Sequence, residues 1–122
     1  MKMIDANVIL RYILRDNEEQ AEQANKIIQN GAYSTMAIIA EVIYVLENVY
    51  LVPRNRIKQA IVSLLEDIGC QDSEIITYGM NVYETVKLDF VDCMLVGFHK
   101  VKNIDVFTFD KKLNKTMKMY EL

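Results

Sequence analysis

The chain has 122 residues, of which 52% are hydrophobic and 25% charged, with a formal net charge of −3; this is the size and balance of one ordinary globular domain rather than a disordered chain. No apolar run approaches the roughly 20 residues that span a membrane, and the start lacks a signal peptide's charged and apolar regions, so a cytoplasmic protein is expected. The acidic balance gives no global positive field for nucleic acid, and Cys70 and Cys93 lack CxxC spacing, so they read as small buried hydrophobes of a reducing compartment.

The opening MKMIDANVILRYILR sets the plan. A short apolar run (Met1, Met3, Ile4) ends in Asp5, and a helical pattern begins at once, with apolar residues at Val8, Ile9, Tyr12 and Ile13 through about Leu14. Asp16 or Asn17 caps a second helix whose acids Glu18, Glu19 and Glu22 favour its positive end, and Gly31 closes it. Ala32 to Thr35 reads as a short buried strand. Ser34 or Thr35 then caps a strong helix to about Tyr50.

Pro53 breaks that pattern, and Arg54 to about Ile68 forms the next helix, ended by Gly69. Gln71 marks a brief extended segment. Asp72 or Ser73 caps a helix to about Val86, and Asp89 caps another from Phe90 to Val101. Asp105 to Phe109 has the strongest β-branched and aromatic content and predicts a strand. Asp110 opens a short lysine-rich helix, and Met119 to Leu122 is expected to form a final strand. Short strands alternating with helices predict a helix-dominated α/β fold, with a short, mostly parallel sheet and helices on both faces. There is no internal repeat or linker, so one domain is expected over 1–122.

Asp5 and Asp110 both stand at strand-to-helix junctions, where open parallel sheets hold their ligands. Either alone is commonly only a helix cap. Asp92 lies between Leu95 and Val96 on its helix wheel, where an unpaired carboxylate requires a cation, donors or an exit to solvent. Asp89 is one turn earlier. Glu41 and Glu47 sit at opposite borders of their helix's apolar arc. Periodicity does not choose between them, although Glu41, roughly 9 Å into the helix, is nearer the strand-end level.

His99, the only histidine, is roughly 10 Å beyond Asp92 along the same helix, too far to share one metal. There is no GxGxxG, P-loop or GxSxG motif. Carboxylates without imidazole or thiolate suit Mg²⁺ or Mn²⁺ rather than zinc. Basic residues cluster late, with six lysines between Phe98 and Lys118 against Asp105 and Asp110; a solvated face is their plain explanation.

In order and spacing, MKMIDANVILRYIL resembles the opening of a PIN domain, IIAEVIYVL its central glutamate helix, LDFVDCML its third acidic motif and VFTFDKKL its fourth. The whole chain is similar to the small VapC-type toxins of toxin–antitoxin pairs. The resemblance implies that Asp5, Glu41, Asp92 and Asp110 hold Mg²⁺ or Mn²⁺, with Asn7, Asp89 and Thr108 in support. It further implies an endoribonuclease, an RNA substrate, a cognate antitoxin and a homodimer. The ion would activate a water and polarise the scissile phosphodiester, while Arg11, Arg15, Lys111 and Lys112 neutralise flanking phosphates. Tyr44, Tyr50, Leu51, Tyr78 and Tyr83 are candidates for a partly exposed apolar groove that receives the antitoxin, although most fit a core equally well. A non-toxin PIN nuclease of RNA processing and a non-catalytic PIN-like binding module are the alternatives. A phosphatase or phospho-receiver fits poorly, since Asn7 stands where the former needs a second acid.

Overall fold

The computed structural model describes residues 1–121. It is helix-dominated, with three short strands and seven helices among those residues, and it divides into two compact units, Met1–Ser73 and Glu74 onward. In the first unit, β1 (Lys2–Met3), β2 (Ala32–Ser34) and β3 (Gly69–Cys70) form a sheet in the order β1-β2-β3. Both pairs are parallel, with Lys2 opposite Ala32, Met3 opposite Tyr33, Tyr33 opposite Gly69 and Ser34 opposite Cys70. The helices between them are α1 (Ala6–Leu14), α2 (Glu18–Gln29), α3 (Met36–Asn48) and α4 (Arg54–Asp67). Parallel neighbours need such crossovers. Within this unit α1 packs on both α2 and α3, and α3 on α4.

The strands are short, so their ends are fixed by extra bonds. The Ile4 amide donates to the Tyr33 carbonyl at 2.9 Å, and the buried Ser34 hydroxyl donates to the Ile4 carbonyl at 3.1 Å. Gly31 turns the chain into β2 with φ +102°, a left-handed conformation that a Cβ disfavours. Ile9, Ile39, Val42, Ile57 and Ile61 are fully buried and form the core of this unit. Each comes from the apolar stripe of its helix.

The second unit carries α5 (Ser73–Thr85, starting at the boundary), α6 (Phe90–Val101) and α7 (Lys111–Tyr120). Here two glycines allow backbones to approach. A Cβ on Gly97 would stand 2.8 Å from the Ile75 carbonyl oxygen, and one on Gly79 would meet the Met94 methyl and, at 2.9 Å, the Cys93 carbonyl oxygen. Close packing of α5 on α6 therefore depends on two absent side chains.

Two strand expectations are corrected. Residues 105–109 lie in an unpaired stretch between α6 and α7, because β propensity supplies no ladder partner by itself. Met119 and Tyr120 belong to α7 and Glu121 is its C-cap; the apolar spacing of Leu113, Met117 and Tyr120 continues a helix. Leu122 lies outside the described residues. Smaller shifts concern boundaries: α3 stops at Asn48 rather than Tyr50, and the extended segment assigned to Gln71 is Gly69–Cys70. Cys93 is buried, its thiol donating to the Leu88 carbonyl at 3.8 Å, and Cys70 is half-buried. No helix among the described residues is long and apolar enough to cross a membrane.

Candidate active site

Three of the singled-out aspartates perform one local task. Asp5 Oδ1 accepts from the Val8 amide at 3.0 Å, Asp89 Oδ1 from the Asp92 amide at 2.9 Å, and Asp110 Oδ1 from the Leu113 amide at 2.9 Å. Each is the N-cap of its helix, α1, α6 and α7 respectively. The cap bonds one carboxylate oxygen to a peptide N–H that the first turn of a helix leaves without a partner. Capping and ligation are therefore compatible, since these bonds engage one oxygen of each carboxylate.

In the first unit, Asp5 stands two residues after β1, and Glu41 lies on α3, the helix that leaves β2. Both side chains are exposed. Glu47, its rival on the sequence, is committed elsewhere: the Arg54 Nε donates to its Oε1 at 3.1 Å. Asn7 lines a groove of about 210 Å³ with Arg11, Gln20, Gln23 and the apolar Val8 and Ile27. The two glutamines carry no motif, and only the packing of α1 on α2 makes them visible.

In the second unit, Asp92 is half-buried in the first turn of α6. Burial pushes its carboxyl above the usual aspartate range, and the charges of Asp89 and Asp110 and a hydrogen bond with Asp89 push it further. Three of the sequence's acids therefore share one field. Thr108 supports the neighbouring acid, because its Oγ1 accepts from the Asp110 amide at 3.0 Å, while its carbonyl accepts from Asn114 Nδ2 at 3.0 Å.

The basic residues differ in their commitments. Arg11 binds Asp16 at 3.0 Å and donates to the Tyr50 hydroxyl at 3.4 Å. Arg15 ends α1 in the left-handed region, and its guanidinium lies 5.5 Å from the Tyr12 ring centre. Lys112 donates to the Lys87 carbonyl at 2.7 Å, whereas Lys111 is exposed. Of the groove candidates, Tyr83 is fully buried and Tyr78 meets Tyr120 edge to face, while Tyr44, Tyr50 and Leu51 are exposed.

Among the described residues, no group of three or more histidine, cysteine, aspartate or glutamate side chains is assembled to hold a metal ion. The chemistry of the donors nevertheless fits a hard divalent cation. They are carboxylates only, and at Asp92 the charges of Asp89 and Asp110 add to its own.

The model of the PIN domain family matches residues 2–118. This chain belongs to the PIN domain family. Its fold is accordingly of the nuclease type, and PIN domains are generally nucleases that work with divalent metals. Comparison with curated proteins and with solved structures returns no match.

Proposed function

We propose that this PIN domain is a Mg²⁺- or Mn²⁺-dependent endoribonuclease, hydrolysing RNA phosphodiester bonds as the toxin of a type II toxin–antitoxin pair of the VapC type. The observation that carries the reading is the acid set. All four PIN motifs keep their acid, at Asp5, Glu41, Asp92 and Asp110, within a family match that runs through both units. That continuous match also supports one domain over 1–122.

The four acids are the proposed ion ligands. When bound, a divalent ion supplies Lewis-acid chemistry toward a phosphodiester and its attacking water. The chain's own residues do the rest. Asp5 and Asp110 are held at helix N-termini by their cap bonds, which orient their carboxylates. Asp89 takes the Asp92 amide and crowds its carboxyl, which keeps that site demanding of positive charge. Thr108 fixes the turn that presents Asp110. Lys111 and Arg15, with Arg11 and Lys112 in their present bonds, offer charge to flanking phosphates.

Tyr44, Tyr50 and Leu51 cluster as exposed apolar side chains in and just after the last part of α3. A surface of this kind supports the antitoxin and homodimer parts of the reading. The test is incubation of purified protein with total RNA, with and without Mg²⁺, beside Asp5→Ala. Metal-dependent cleavage that Asp5→Ala abolishes is expected. No cleavage with either ion, together with no metal-induced rise in melting temperature, moves the chain to the class of non-catalytic binding modules. Rescue of growth by co-expressing a small neighbouring reading frame separates a toxin from a nuclease of RNA processing.

A further inference from the structure

Between α6 and α7, residues 102–110 run as an irregular segment whose side chains alternate. Val106 and Thr108 are half-buried, whereas Phe107 and Phe109 are 84% and 90% exposed. Burying a phenylalanine stabilises a fold, and this segment forgoes that twice within three residues. The rings are nevertheless ordered against one another. Their centres lie 5.2 Å apart at 84°, an edge-to-face pair. The backbone beneath them is pinned by the two Thr108 bonds, one to the Asp110 amide and one from Asn114.

The surroundings are basic. Along the chain, exposed Lys100 and Lys102 precede the aromatic pair and exposed Lys111 and Lys115 follow it, and residues 98–118 hold six lysines against Asp105 and Asp110. Two exposed rings bracketed by cations make a poor match for an apolar protein surface, which would desolvate those charges. They match a polyanion that carries flat rings.

We infer that Phe107 and Phe109 form a stacking platform for the bases of single-stranded RNA, with the flanking lysines taking its phosphates. The inference rests on the ribonuclease reading and deepens it by assigning the side chains that hold the substrate's bases. Open ring faces accept any unpaired base, because every base has a π face, but the bases of a duplex already stack on one another. Phe109 is the neighbour of Asp110 in the chain, their Cα atoms ~3.8 Å apart. A base on its ring therefore belongs to a nucleotide close to the one presented to that acid. The platform sets register along the strand and performs no chemistry.

The chain contains no tryptophan, so Phe109→Trp introduces a sole indole reporter at the platform. Binding is measured in EDTA at low ionic strength, where no cleavage occurs, with an oligouridylate and with an RNA duplex of equal length. The single strand is expected to quench the indole emission of Phe109→Trp and the duplex to leave it unchanged. Phe107→Ala and Phe109→Ala should each weaken oligouridylate binding by about 5- to 150-fold, with unchanged melting temperature, while Phe109→Tyr retains it. No binding by the unmodified protein, equal binding of duplex, or alanine variants of unaltered affinity would overturn the platform. Alanine variants that bind RNA normally but change the mass in solution would overturn it too, and assign the face to a second copy of the chain. Phenylalanine-dependent binding without cleavage in Mg²⁺ leaves the platform standing and removes the ribonuclease reading. Cleavage that is indifferent to both alanines does the reverse.

Discussion

Asp92 and Asp89 are joined at the start of α6: the Asp92 amide donates to Asp89 Oδ1 at 2.9 Å. A cap that belongs to the helix is also the nearest source of negative charge for a half-buried acid. Burial is the largest cause of the raised Asp92 value, followed by the charges of Asp89 and Asp110. Such an arrangement is costly without a cation and favourable with one.

The first prediction follows from the sign of that shift. A carboxyl raised in the folded state contributes stability that is fully present below its unfolded value of 3.8 and is lost as pH rises through the folded value. At neutral pH without metal, Asp92→Asn should therefore melt above the unmodified protein, and the gap should close as pH falls toward the unfolded value. Mn²⁺ at one hundred times its Kd should add about 2.7 kcal/mol to the unmodified protein and far less to Asp92→Asn. Replacing an outer-shell partner of a metal typically costs 10–100-fold, so loss of this proposed ligand should lower cleavage by at least about 100-fold. Thermal melts across pH, with and without Mn²⁺, check both parts, and identical curves for the two proteins would refute them.

Glu41 and Glu47 give a second, paired test. Glu47→Gln breaks the 3.1 Å pair with Arg54, which costs about 0.2–1 kcal/mol at a solvated surface, and should leave cleavage unchanged. Glu41→Gln removes a proposed ligand from an exposed position and should reduce cleavage by at least about 100-fold with little change in stability. Rate measurements on the two variants side by side decide it. Loss of activity in Glu47→Gln alone would transfer the role.

This pair also shows what the sequence could and could not reveal. The caps at Asp5, Thr35, Asp89 and Asp110 were legible because each is a bond across three residues, and local chemistry writes itself into local sequence. Glu41 and Glu47 looked alike because Arg54 reaches Glu47 only after the chain has turned at Pro53. Residues 105–109 had the composition of a strand, but pairing is a property of two segments and not of one. Likewise, nothing around Gly79 or Gly97 announces that each faces a backbone carbonyl. The missing information was long-range in every case.

Gly97 provides the third prediction. A Cβ there would stand 2.8 Å from the Ile75 carbonyl oxygen and 3.0 Å from Ile75 Cγ2. Because one of these atoms is backbone, relief requires α5 and α6 to separate. Gly97→Ala should destabilise by about 1–3 kcal/mol, despite alanine's better helix propensity. Urea unfolding measures the loss. A variant as stable as the parent would show that the helices already have that room.

The last prediction concerns His99, whose two ring nitrogens both face acceptors: Nδ1 lies 2.9 Å from the Ile104 carbonyl and Nε2 3.0 Å from Glu121 Oε1. A neutral imidazole donates at one nitrogen only, so both bonds are satisfied only by imidazolium. The bond to Ile104 is the largest cause of its raised value, the bond to Glu121 the next, and Asp105 adds its charge. A histidine raised by folding contributes stability that is fully present below its unfolded value of 6.5 and is lost as pH rises through the folded value. His99→Gln should therefore lower stability by about 1 kcal/mol near pH 6 and by much less near pH 9. In melting temperature that is a deficit of about 3–6 °C at the lower pH. Proton NMR of the single histidine should give a titration midpoint above 6.5. A midpoint at or below that value, or the same deficit at both pH values, would show that the clasp between α6, Ile104 and the end of α7 does not depend on charge.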